Sequence, residues 1–118
     1  MITNEDFKKL NIVVGTIENV EEIEGSEKLY KFIINIGLPP HSLMSGGGAE
    51  TRQILGGLKP SYQPSELLGK QVIVLENLEP RQLMGFESQG MILCASDELG
   101  KPVIIAPEKP VASGSIIR

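Results

Sequence analysis

The side chains best able to do chemistry in this sequence gather in one stretch, Asn77 to Leu93, which reads NLEPRQLMGFESQGMIL. Asn77, Arg81, Gln82, Ser88 and Gln89 offer amides, a guanidinium and a hydroxyl, all of them hydrogen-bonding groups. They do not make up an acid, a base and a nucleophile, so the chemistry they suit is recognition rather than bond-breaking. Elsewhere the reactive residue types stand alone. Cys94 lies in the apolar run MILCAS with no basic neighbour to lower its pKa, and reads as an inert thiol. His41 has no Cys, Asp or second His at ligand spacing, so no metal site is expected. Glu18, Glu21, Glu22, Glu24 and Glu27 lack the Asp-x-Asp-x-Gly order of a calcium loop and read as a solvated edge. Gly46-Gly47-Gly48 is not followed by Lys-Ser/Thr, which leaves a flexible loop rather than a phosphate cradle. No catalytic residue and no cofactor is assigned.

Recognition groups need a frame to hold them. VIVL before the stretch and ILCAS within and after its end are β-rich. Pro80 cannot donate to a ladder, and Gly85 and Gly90 permit backbone angles closed to other residues, so residues 77–93 are expected as a loop between two strands. Upstream, Thr3 and Asp6 predict a short capped helical turn whose Phe7 lids the core. NIVVGTIENVEEI reads as a long strand bent by a bulge at Gly15. In LYKFIINI, Tyr30, Phe32, Ile34 and Ile36 alternate with polar or less buried positions, the mark of a strand with one buried face. Residues 37–50 carry prolines and glycines without periodicity and read as a loop. TRQIL is a short strand, KPSYQPSELLG a connector with one helical turn capping the barrel, and KQVIVLE a further strand. MILCAS, PVIIAP and Ser115 to Ile117 complete the set. The expected fold is all-β: a five-stranded oligonucleotide/oligosaccharide-binding (OB) barrel with a helical connector after strand 3 and a strand-rich C-terminal extension.

At 118 residues the chain fits a single domain, taken as residues 1–118. Hydrophobic residues make up 41% and charged ones 22%, the composition of a globular protein. No apolar run has membrane-spanning length and MITNEDFKKL is no secretory signal, so a cytoplasmic protein is expected. One cysteine allows no internal disulfide. The net charge is −4, unevenly spread: residues 1–27 hold seven acids and two bases, residues 28–81 six bases and four acids, and residues 82–118 four acids and three bases. The middle is therefore the one basic segment, at +2, a weak footprint for a polyanion.

The pattern NL-x-PR-x-L-x-G-x-ES-x-GM resembles the signature of the tRNA-binding domain fused to methionyl-tRNA synthetases and also found as free-standing small proteins. VGTIENVEEIEGSEKLYKFIINIG and RQILGGL resemble two further segments of that family in the same order, so the resemblance spans nearly the whole chain. It implies the same barrel, tRNA as partner, an accessory role beside the synthetase catalytic subunit, and a homodimer for which PVIIAP would supply apolar surface. The ligand face of such a barrel lies on its middle strands and adjoining loops. That places Lys28, Tyr30, Arg52, Gln53, Asn77, Arg81, Ser88 and Met91 as candidate contacts.

Arg81 would fork onto phosphate or a base edge, Asn77 and Ser88 would fix backbone or sugar hydroxyls, and Met91 would pack beneath a base or ribose. Ser88 and Met91 match family positions linked to tRNA binding. Each has a plainer role open to it: turn closure for Asn77 and Ser88, core for Met91, solvated charge for Lys28 and Lys59. Two departures from the family pattern reduce positive charge. Glu24 to Glu27 replaces a His-Pro and Ala-Asp context, and Gln82 and Met84 stand where bases are common. A rival on the same barrel is a dimeric peptide-binding export chaperone, which the acidic balance and Met44 and Met84 would suit.

Overall fold

The alternation of apolar residues in the second strand decides which side of the sheet is interior. In the computed structural model, which describes residues 1–37 and 49–118, Phe32 and Ile34 are fully buried and Tyr30 and Ile36 nearly so. They pack with Ile17, Ile54, Leu58, Leu67, Val72 and Val74 in one cluster. The elements are α1 (Asn4–Phe7), β1 (Ile12–Glu22), β2 (Tyr30–Asn35), β3 (Thr51–Gly56), α2 (Pro64–Leu67), β4 (Gln71–Leu75), β5 (Arg81–Leu83), β6 (Phe86–Ser88), β7 (Met91–Ile92), β8 (Cys94–Ser96) and β9 (Pro102–Ile104). An antiparallel sheet of order β3-β2-β1-β4-β7 curls into the expected five-stranded, nearly closed OB-like barrel. The Gly-rich triplet, His41 and Met44 lie outside the described residues.

Strand β1 can serve two neighbours because it bends. Its first half, Ile12 to Thr16, pairs with β4, and its second half, Thr16 to Glu22, with β2. The bulge that permits this lies between Ile17 and Asn19, not at Gly15 as the sequence suggested. Gly15 answers a different need: a Cβ there would stand 2.5 Å from Ile34 Cγ2 and 3.1 Å from Val74 Cγ2. Its missing side chain lets neighbouring strands bring bulky residues together across the bend.

The edge of β1 that β2 leaves uncovered is taken by the end of the chain. Val14 N–H donates to the Ser115 carbonyl at 2.8 Å, Gly114 N–H to Val14 at 2.7 Å, and Ile117 N–H to Ile12 at 2.9 Å. The expected last strand is thus a single bridge, Val13 to Ile116, rather than a full ladder.

At one end of the barrel α2 inserts Leu67, fully buried, after Glu66 Oε1 accepts from Gln63 N–H at 2.8 Å. At α1 Thr3 and Asp6 exchange capping bonds, both at 3.1 Å. Phe7 does not lid the core as expected. It lies outside the core cluster and lines a separate cleft with Leu10, Ile12 and the C-terminal Ile116 and Ile117. MILCAS is also not one strand along one neighbour: Leu93 N–H continues the pairing of β7 with β4 by donating to the Ile73 carbonyl at 2.8 Å, and beyond it β8 pairs with β9 instead. Among the described residues no helix is long and apolar enough to cross a membrane.

Candidate nucleic-acid interface

The segment expected as a loop contains a hairpin. Arg81 to Leu83 pairs with Phe86 to Ser88, and Met84 and Gly85 make the turn with φ of 52° and 83°. Two successive left-handed residues give the tight connection whose twist matches a hairpin, which is usually written Asn-Gly. Met84 pays a strain that Asn would not, and its side chain projects from the tip, 51% exposed. The hairpin is seated on the barrel through Phe86. Lys31 Nζ, on β2, sits 4.5 Å from the Phe86 ring centroid and 2.9 Å from Glu21 Oε2. The hydrogen bond and charge of Lys31 hold the Glu21 carboxyl below its usual range.

The stretch just after the hairpin closes the barrel. Strands β3 and β7 end the sheet order and have no ladder between them; side chains and single backbone bonds bridge the gap. Gln89 N–H donates to the Gln53 carbonyl at 2.8 Å, and Gln89 Oε1 accepts from Gln53 N–H at 3.0 Å. Ser88 Oγ accepts from Leu55 N–H at 3.0 Å and lies 3.3 Å from the Gly90 carbonyl, to which it donates. Gln53 Nε2 reaches the Glu87 carbonyl at 2.9 Å. Each satisfies a strand-edge group that would otherwise be lost to water.

Five of the eight candidate residues therefore have internal partners. Ser88 is 5% exposed, and its hydroxyl accepts from Leu55 N–H and donates to the Gly90 carbonyl, so in this structure it holds the seam. Tyr30 is 3% exposed and its hydroxyl donates to the Tyr62 carbonyl at 2.7 Å, which leaves no ring for a base to stack on. Arg52 donates to the Glu76 carbonyl at 2.9 Å and pairs with Glu50 at 3.5 Å and Glu76 at 3.6 Å. Gln53 belongs to the seam. Asn77 neither closes its own turn nor stands free: its amide accepts from Asn11 N–H and donates to the Lys9 carbonyl, both at 2.8 Å, tying the start of β1 to the end of β4.

Arg81, Met91 and Lys28 face outward. Arg81 and Met91 line the same two adjoining clefts beside the hairpin, and Lys28 borders the shallow depression under the Met84 tip. Met91 is 43% exposed, so the core reading open to it in the sequence does not apply. Ion pairing thins the basic middle of the chain further. Lys31 and Lys59 pair with Glu21 and Glu22, and Arg52 with its two glutamates, which leaves Lys28, Lys70 and Arg81 without an ion-pair partner among the described residues. The sequence marks Gln89 only as one hydrogen-bonding group of the stretch, not as a candidate contact or seam residue, and does not mark Lys31 at all. Their partners lie far away in the chain, so no local pattern marks them.

No cluster of three metal-binding side chains occurs among the described residues. Cys94 is half-buried, and burial pushes its thiol pKa up, the opposite of an activated nucleophile.

The profile of the family described as "Putative tRNA binding domain" matches residues 12–116. The chain belongs to this family. It is 44% identical over 98% of its length to a methionine–tRNA ligase of Caldanaerobacter subterraneus, and spans 16% of that relative. Among solved structures, a MetRS-related protein from Pyrococcus horikoshii superposes with a TM-score of 0.85 at 31% identity, covering all of this chain and 98% of the other. The chaperone CsaA from Bacillus anthracis superposes with a TM-score of 0.81 at 26% identity, covering all of this chain and 99% of that one. This tRNA-binding domain thus corresponds to about a sixth of the length of the curated relatives it matches.

Proposed function

We propose that the chain acts as one accessory module over residues 1–118 that binds tRNA by shape and backbone contacts, largely without regard to sequence, and has no catalysis of its own. The observation that carries this reading is the outward pair Arg81 and Met91 beside a hairpin that is anchored to the barrel of a tRNA-binding family member. Arg81 serves phosphate or a base edge and Met91 supplies an apolar seat. Lys28 adds charge nearby. Ser88, Gln53, Arg52, Asn77 and Tyr30 act through the frame, holding the hairpin and seam where those contacts are useful.

So few unpaired bases give a weak grip, and a weak grip is useful when tethered. Docked on a methionyl-tRNA synthetase catalytic subunit, the module makes the second contact with tRNA intramolecular and raises the effective affinity of the whole without any new contact at the catalytic site. The half-exposed apolar residues Val103 and Ile105 of the PVIIAP stretch suit a homodimer contact, and a cytoplasmic location follows from the partner. The test is binding of labelled total tRNA across a salt series by the unaltered chain and by Arg81→Ala. Saturable, salt-sensitive binding that weakens in the variant, with a salt slope reduced by about 1, supports the reading. Absence of binding even at low salt overturns it for this chain.

A second reading, a peptide-binding chaperone, is favoured by one observation: the clefts beside the hairpin are walled mainly by aliphatic side chains. Saturable binding of unfolded apolar peptides in place of tRNA would replace the first reading with this one.

A further inference from the structure

The barrel seam is stitched at one end and open at the other. Ser88 and Gln89 fasten β3 from Gln53 to Leu55, but no bond crosses between Gly56–Gly57 and Met91–Ile92. In that gap lies a slot of about 410 Å³, within the ~300–1,000 Å³ of small-ligand sites. Leu55, Gly57, Leu83, Met91, Cys94 and Arg81 are among the residues that line it, with Leu83 and Arg81 contributed by the hairpin. Of the five that carry side chains, four are apolar or weakly polar and one, Arg81, carries a full positive charge. The Arg81 guanidinium takes no part in any hydrogen bond or ion pair found among the described residues.

Barrels of this kind usually hold single-stranded bases on exposed aromatic rings. This chain has five aromatic residues among Phe and Tyr, and none is exposed. Phe32 and Tyr30 are core, Phe86 lies under Lys31, Tyr62 accepts from Ile104 N–H through its hydroxyl, and Phe7 lines the cleft by the chain end. A base turned out of an RNA fold therefore has no ring platform here. What it has is a slit with aliphatic and sulfur-bearing walls and a guanidinium at the lip.

We propose that this slot takes a single extruded nucleobase of the bound RNA, its faces held between Leu83 and Met91 and its adjoining phosphate forked by Arg81. The inference rests on the tRNA-binding reading above and deepens it. It makes tRNA binding depend on an apolar insertion as well as on charge, which fits a domain with net charge −4 and few unpaired bases.

Gly57 provides the test. Gly57 lines the slot, and a Cβ at this position meets only the Lys28 carbonyl oxygen, at an unstrained 3.9 Å, so Gly57→Leu adds bulk beside the slot without a clash at its first atom. In the full chain, with labelled total tRNA, Gly57→Leu should bind about tenfold more weakly at a fixed salt concentration while its salt slope stays that of the unaltered chain, because a stacking contact is lost and no phosphate contact is. Met91→Ala, which removes one wall rather than filling the gap, should weaken binding in the same salt-independent way. Thermal unfolding confirms that both variants fold.

Cys94, the one cysteine, gives a second readout in the unaltered chain. Alkylation of its thiol at mildly alkaline pH should slow about tenfold or more when tRNA is added, and should not slow with polyphosphate, which carries charge without bases. Unaltered tRNA affinity in folded Gly57→Leu, or protection of Cys94 by polyphosphate equal to that by tRNA, overturns the slot proposal and leaves tRNA binding standing. Loss of tRNA binding by the unaltered chain removes both. Protection of Cys94 by an unfolded apolar peptide and not by tRNA assigns the slot to peptides and overturns the nucleobase.

Discussion

Two sets of residues interleave along the Asn77 to Leu93 segment and do opposite things. Asn77, Ser88 and Gln89 spend their polar groups on partners within the chain, each closing a gap between elements far apart in the sequence. Arg81, Met84 and Met91 turn outward from the hairpin and its exit. The difference lies in the hairpin itself: once Leu83 and Phe86 pair and Phe86 is held by Lys31, residues flanking the turn are lifted off the barrel and residues after it are pressed against β3. A motif that looks like one binding loop is a seam and a contact surface joined by a turn.

Substitutions on the two sides should separate stability from binding. The largest loss of stability is expected for Gly90→Ala on the seam. Gly90 has φ of 139°, and an added Cβ would stand 2.9 Å from the Leu75 carbonyl oxygen, so backbone strain and a clash each cost about 1–3 kcal/mol. Urea unfolding measures the sum. Ser88→Ala comes next, at about 1–3 kcal/mol, because the buried Leu55 N–H is left without an acceptor. At a temperature where the variant is folded, its tRNA affinity should stay within about threefold of the unaltered chain. A much larger loss of affinity with unchanged stability would break the division and make Ser88 a direct contact.

Arg81→Ala should do the reverse. Its unfolding free energy should move by less than about 0.5 kcal/mol while tRNA binding weakens. The smallest effect concerns acid. Lys31 lowers the pKa of Glu21 in the folded state, so the stability this pair contributes is present above the unfolded carboxylate value, 4.5, and is lost as pH falls through the lower folded value. Glu21→Gln should flatten that part of the acid unfolding curve with little change at neutral pH. A large neutral-pH loss would mean that Lys31 holds the hairpin only through its partner glutamate.

Much of the barrel could be read from the chain because its signals are local. The alternation in β2 marked the buried face, and Thr3 with Asp6 and Ser65-Glu66 with Gly69 as a stop marked the two helical turns. The bulge was misplaced because glycine in a strand has two uses, and Gly15 serves close packing while the register slips at Glu18. The hairpin was hidden for another reason: Met84-Gly85 is not a usual turn pair, and three-residue strands have too little periodicity to detect. The seam left no trace at all. Gln53 and Gln89, or Leu55 and Ser88, are brought together by the closing of the barrel, and a serine or glutamine that will be consumed looks the same in sequence as one that will be offered.

The pairing of Gly114–Ile117 with Ile12–Val14 has a consequence for the timing of assembly. Strand β1 leaves the ribosome with one edge of its first half open until residues some hundred positions later have been made, because among the described residues only they cover it. During that interval Ile12, Val13 and Val14 present an apolar strand edge able to pair with a neighbouring nascent chain. The last residues of this segment act as a latch: their arrival ends the period in which the barrel is vulnerable to self-association.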